Sequence, residues 1–101
     1  MGVAARASSD GNTLCICLSG YFNASICDEF RSAYEQYPNA SLYRIDLSKV
    51  CEMDNAALEM LLIIRGYAPS KHAAVVLYRP TKAVAQLIES SNFNQIFDIE
   101  N

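Results

Sequence analysis

The sequence predicts an α/β fold on a mainly parallel sheet. Strand-like and helix-like periodicities alternate along the 101 residues in the order β-(β)-α-β-α-β-α-(β). That alternation argues for βαβ units joined by right-handed crossovers. In Leu42–Leu47, Tyr43, Ile45 and Leu47 share one face while Arg44 and Asp46 share the other. Such a strand belongs to a sheet covered by helices on one side and partly wet on the other.

A short strand within Val3–Ser8 is a candidate first element, and Asp10-Gly11-Asn12 is a turn signal. Thr13–Ser19 alternates Leu14, Ile16 and Leu18 against Cys15, Cys17 and Ser19, so it reads as a strand that Gly20 ends. Asn23 or Ser25 caps the next helix, which runs to about Tyr37 with Ile26, Phe30, Ala33 and Tyr34 on one face. Pro38-Asn39 stops it. After the strand Leu42–Leu47, Asp54 caps a helix reaching roughly Gly66. His72–Tyr78 is a third strand. Pro80 or Thr81 opens a last helix to about Ser91, with Val84, Leu87 and Ile88 inward. Phe93, Ile96, Phe97 and Ile99 close the chain as a turn and an edge strand.

Length and composition narrow the function classes. One domain spanning 1–101 is expected, with an apolar content of 51% that suits a buried core. No apolar run reaches the roughly 18 residues of a membrane span, and Met1–Ser9 lacks the apolar segment of a secretory signal, so a cytoplasmic protein without membrane insertion is expected. Net charge is −3 and the basic residues are scattered, which argues against direct nucleic-acid binding. Four cysteines at 15, 17, 27 and 51 match no zinc spacing, and His72 is the single histidine. They read as small apolar residues in a reducing compartment, with no metal and no cofactor expected. No Gly-rich phosphate loop and no His-paired nucleophile is present, and His72 has no acid nearby in sequence, so no catalytic residue and no enzyme is expected.

The informative stretch is Asp54-Asn55-Ala56-Ala57-Leu58, placed after a strand and loop and at the mouth of an apolar helix. A helix start offers backbone N–H groups and partial positive charge, a natural place for a phosphate or a partner. Together with Gly20-Tyr21-Phe22-Asn23-Ala24-Ser25, Asp46-Leu47-Ser48, Met60-Leu61-Leu62 and the closing Asn92-Phe93…Ile96-Phe97, it resembles the STAS domains, best known as bacterial anti-sigma-factor antagonists. The order and spacing of these pieces, from about Gly20 to Glu100, carry the likeness. No one of them does so alone. The resemblance implies a mixed, mainly parallel sheet with helices wound mostly against one face. It also implies a partner, an anti-sigma factor that is often a serine kinase, released when a serine of the STAS domain is phosphorylated.

That serine aligns with Asn55, and the following Ser or Thr with Ala56. Asn cannot take a phosphate, and its size and neutrality resemble an unphosphorylated serine. The resemblance therefore implies either a regulatory switch fixed in its binding-competent state, acting by protein–protein contact in transcriptional partner switching, or a member that uses no phospho-switch at all. Ser25 and Ser48 are alternative phosphosites that equally suit caps or turns. The helix after Asn55 is apolar nearly all round: Leu58, Leu61, Leu62 and Arg65 on one side, Met60, Ile63 and Ile64 largely elsewhere, and Leu58, Leu61 and Leu62 are expected to pack on the strands at Leu42–Leu47 and His72–Tyr78. Full burial on all sides is difficult in so small a domain, so Met60 and Ile63 are expected to join Asp54, Asn55 and Ala56 in a partner surface. The same resemblance fits a second role, as an accessory subunit of a membrane transporter complex.

Overall fold

A computed structural model describes residues 2–70 and 74–101. Its described residues form five strands, β1 (Gly2–Ala7), β2 (Thr13–Phe22), β3 (Leu42–Met53), β4 (Ala74–Tyr78) and β5 (Asp98–Glu100), and three α-helices, α1 (Cys27–Glu35), α2 (Asn55–Ser70) and α3 (Lys82–Ser90). The sheet order is β1-β2-β3-β4-β5. β1 pairs antiparallel with β2, and β2 to β5 run parallel. This is the mainly parallel α/β sheet that the alternation predicts, mixed as the STAS resemblance implies. Among the described residues no helix is long and apolar enough to cross a membrane.

Period-2 patterning divides the sheet into two unlike faces. Leu14, Ile16 and Leu18 of β2 lie beside Tyr43, Ile45 and Leu47 of β3, all at most 2% exposed. They share one cluster with Phe30 and Tyr34 of α1, Leu61 and Ile64 of α2, and Val84 and Ile88 of α3, so all three helices cover this face. Cys15, Cys17, Arg44, Asp46 and Tyr78 point to the other face and are half-buried. An aromatic chain locks the helices over β3. Phe22 meets Phe30 at 5.5 Å between centroids and Tyr34 meets Tyr67 at 5.0 Å, both tilted, while Phe30 meets Tyr34 at 5.6 Å in the edge-to-face geometry that ring quadrupoles favour. The Tyr43 hydroxyl donates to the Tyr37 carbonyl at 3.0 Å, which ties the end of the α1 segment to the sheet.

Several boundaries differ from expectation for local reasons. Gly20 does not end β2: it takes a φ of 80°, open to a residue without Cβ, and the strand continues through register shifts to Phe22. β3 likewise runs six residues past Leu47, because Gly20, Tyr21 and Phe22 give it a partner as far as Met53. A 3-10 turn, Ala24–Ile26, precedes α1, with Asn23 accepting the Ser25 N–H, and α1 ends at Glu35 rather than Tyr37. α2 passes through Gly66 to Ser70. The third strand is present from Ala74, whereas His72 lies outside the described residues. Thr81 takes the N-cap position of α3 without a side-chain cap bond. Its hydroxyl donates instead to the Val50 carbonyl at 3.1 Å, pinning the helix start to β3.

The packing of α2 corrects the expected helix faces. Its buried side is Ala57, Leu58, Met60, Leu61, Ile64 and Ala68. Leu62, expected inward with Leu58 and Leu61, is 43% exposed, whereas Ile64 is fully buried. At 100° per residue the inward arc is centred between Leu61 and Ile64, which carries Leu62 to the opposite side.

Candidate functional site

The extended tips of β2 and β3 build the site. Tyr21 pairs with Glu52 and Phe22 with Met53, and the Asp54 N–H donates to the Phe22 carbonyl at 3.4 Å. The chain then turns directly into α2. Asp54 Oδ1 accepts the Ala57 N–H at 3.0 Å, the bond of an N-cap to its third helical residue. The Asp54 carbonyl accepts the Leu58 N–H at 3.2 Å and starts the helical ladder. Asp54 thus has the capping role that its sequence position predicts. Asp54→Ala should cost about 1 kcal/mol and lower the melting temperature by ~4–8 °C, read by thermal denaturation of the purified variant.

Asp54 and Asn55 are exposed and Ala56 is half-buried. A cleft of about 230 Å³ lies beside them, lined by Tyr21, Phe22, Asn23, Glu52, Met53 and Asp54. Tyr21 is 55% exposed at its rim. Sequence reasoning missed Tyr21 because it placed the strand end at Gly20. An aromatic residue directly after a glycine with alternating neighbours was the available signal. Of the alternative phosphosites, the Ser25 hydroxyl donates to Asn23 Oδ1 at 2.6 Å, whereas Ser48 is exposed with its N–H on Asp46 Oδ1 at 2.9 Å. Both therefore sit in side-chain turns of the kind their sequence context suggests.

Below Asn55 runs a continuous outer stripe of α2. Asn55, Glu59, Leu62 and Gly66 follow one another at spacings of four, three and four residues, with Ile63 alongside, and all are exposed. Ile63 is 57% exposed. Met60, expected on this surface, is corrected by the structure. It is only 6% exposed and faces α1 among Cys27, Phe30, Arg31 and Tyr34, with Ile63 at the mouth of that groove. A helix with two apolar sides here sends one into the core and leaves the other, Leu62 and Ile63, in solvent. Of the residues expected on the partner surface, Asp54, Asn55 and Ile63 are exposed, Ala56 is half-buried and Met60 is buried, while Leu62 and Tyr21 are exposed as well.

Comparison with known proteins agrees with this architecture. A family model described as "Mlab, STAS domain" matches residues 5–99. A STAS-domain containing protein of Pseudomonas aeruginosa (strain UCBPP-PA14) is 34% identical over 100 residues, covering 98% of this chain and 99% of that protein. The unphosphorylated form of the anti-sigma factor antagonist SpoIIAA superposes with a TM-score of 0.83 at 12% identity, over 99% of this chain and 89% of that one. A candidate anti-sigma factor antagonist of Thermotoga maritima gives 0.83 at 16% identity, over 98% and 86%. The two structural likenesses show the shared fold, and the family match and the Pseudomonas relative establish descent: the chain belongs to the STAS domain family.

Proposed function

We propose that this chain is a cytoplasmic, single-domain regulatory module that works by binding an anti-sigma factor, of the type that is often a serine kinase, and carries no enzymatic activity of its own. The carrying observation is the exposure of Asn55 at the head of an outer stripe of α2 that leaves Leu62 and Ile63 in solvent. Asp54 holds the helix start in place, and Leu62 and Ile63 continue the surface about two turns down α2. Exposed apolar side chains beside a polar rim are the ordinary make-up of a contact surface. Asn55 supplies a neutral side chain where the STAS resemblance expects a phosphorylatable serine, so the module stays in its binding-competent state.

Titration calorimetry of the purified chain against the anti-sigma factors of its own genome tests this reading. A saturable complex that is weakened by Ile63→Asp and by Leu62→Asp supports it. Absence of binding to any of them, with binding to a transporter ATPase instead, would move the chain to the accessory-subunit role that the same fold serves.

A further inference from the structure

On the sheet face away from the helices, Cys15 and Cys17 stand two residues apart on β2 and so point the same way. Their Sγ atoms are 3.8 Å apart. Asp46 of β3 is the register partner of Cys17, and its Oδ2 lies 4.0 Å from Cys17 Sγ. One donor atom from each of the three residues falls within 4.8 Å of the others. All three residues are half-buried. We propose that Cys15, Cys17 and Asp46 form a zinc site, with water in the fourth coordination position.

The spacing fits the ion. Two thiolates about 2.3 Å from a tetrahedral zinc stand about 3.8 Å apart, and a carboxylate oxygen at about 2.1 Å stands about 3.6 Å from each sulfur. The thiols already have the first separation, and Asp46 needs only a small side-chain rotation for the second. Two soft ligands with one carboxylate suit zinc and exclude magnesium or calcium, which take oxygen ligands. The Asp46 carboxylate is already oriented, since its Oδ1 accepts the Ser48 N–H at 2.9 Å and leaves Oδ2 turned toward Cys17. The neighbouring cation already has partners. Arg44, the register partner of Cys15, pairs with Glu100 at 3.4 Å and its guanidinium lies over the Tyr78 ring at 5.1 Å. Without metal, burial and the adjacent Cys17 push the Cys15 thiol up to about 11, so its proton must pass to solvent as the ion binds. Sequence spacing hid the site because its third ligand comes from the next strand, 29 residues beyond Cys17.

Cobalt(II), a spectroscopic stand-in for zinc, is the probe. Added to the reduced, metal-free chain, it should bind once per chain and give a sulfur-to-cobalt charge-transfer band with the visible absorption of a tetrahedral site. Zinc should displace it and raise the melting temperature. Cys15→Ser and Cys17→Ser should each abolish tight binding, while Cys27→Ser and Cys51→Ser should keep it. Asp46→Asn retains an acceptor for the Ser48 N–H and should weaken binding by about tenfold or more without unfolding the chain, so it serves where a cysteine variant folds poorly. Failure of the folded parent to give the band overturns the proposal. So does a band that survives in Cys17→Ser, or one undiminished in Asp46→Asn.

Discussion

Met60→Asp is expected to destabilise the fold by about 4 kcal/mol or more, while Ile63→Asp, three residues along the same helix, leaves it standing. Met60 is 6% exposed and belongs to the same buried cluster as Phe30 and Tyr34, with which it lines a groove beside α1. Truncating a buried methionine alone costs about 2–5 kcal/mol, and a carboxylate in its place must also be desolvated or protonated. Against a total stability of roughly 5–15 kcal/mol, that loss should lower the melting temperature by ~15 °C or more. Ile63 is 57% exposed, so its replacement should stay within about 1 kcal/mol of the parent, as surface changes do. Its effect should fall on partner binding. Thermal denaturation and calorimetry on both variants separate the two roles. A Met60→Asp protein as stable as the parent would contradict the packing of α2 against α1. A stable Ile63→Asp protein with parental affinity would remove Ile63 from the partner surface.

The contrast between these neighbours shows what was legible in the sequence. Period-2 strands announce themselves: Leu14, Ile16 and Leu18 alternate cleanly, and the structure buries all three. The two-faced sheet was likewise readable from Tyr43, Ile45 and Leu47 set against Arg44 and Asp46. The register of α2 was not. Seven apolar residues between Ala57 and Ile64 leave almost no polar position to mark the solvent side, so the inward arc depends on α1 and the sheet rather than on the helix itself. For the same reason Met60 and Ile63 were indistinguishable beforehand. Strand ends were hidden by tertiary pairing. β2 and β3 prolong each other past Gly20 and Leu47 through bulges that no local pattern encodes, and that extension brings Tyr21 and Glu52 beside Asp54. Asp54 could be read because a cap is a local device: an acidic side chain three residues before the N–H it accepts.

Charge at position 55 should control the complex more strongly than any other exposed change on α2. Incubated with ATP and a kinase of the proposed partner type, the parent chain should acquire no phosphate at Asn55, since an amide offers no hydroxyl. Asn55→Ser should bind about as well as the parent before ATP is added and become an acceptor afterwards, if the kinase engages the surrounding surface. Once phosphorylated, the position carries about −1.5 to −2 charges next to Asp54, one turn above Glu59 and beside the cleft that Glu52 lines. Closing an interface over Leu62 and Ile63 would desolvate that charge among like charges. Such juxtaposition costs several kcal/mol, so affinity should fall by about 100-fold or more. Asn55→Asp is the milder form, with one charge and fewer acceptor oxygens. It should weaken binding by about tenfold at low ionic strength and less as salt screens it. The fold should not suffer, because a carboxylate in the first turn of α2 meets the positive end of the helix dipole, worth about 0.3–1 kcal/mol in its favour. A stable Asn55→Asp protein that binds its partner as tightly as the parent at low salt would show that this position is not an electrostatic switch.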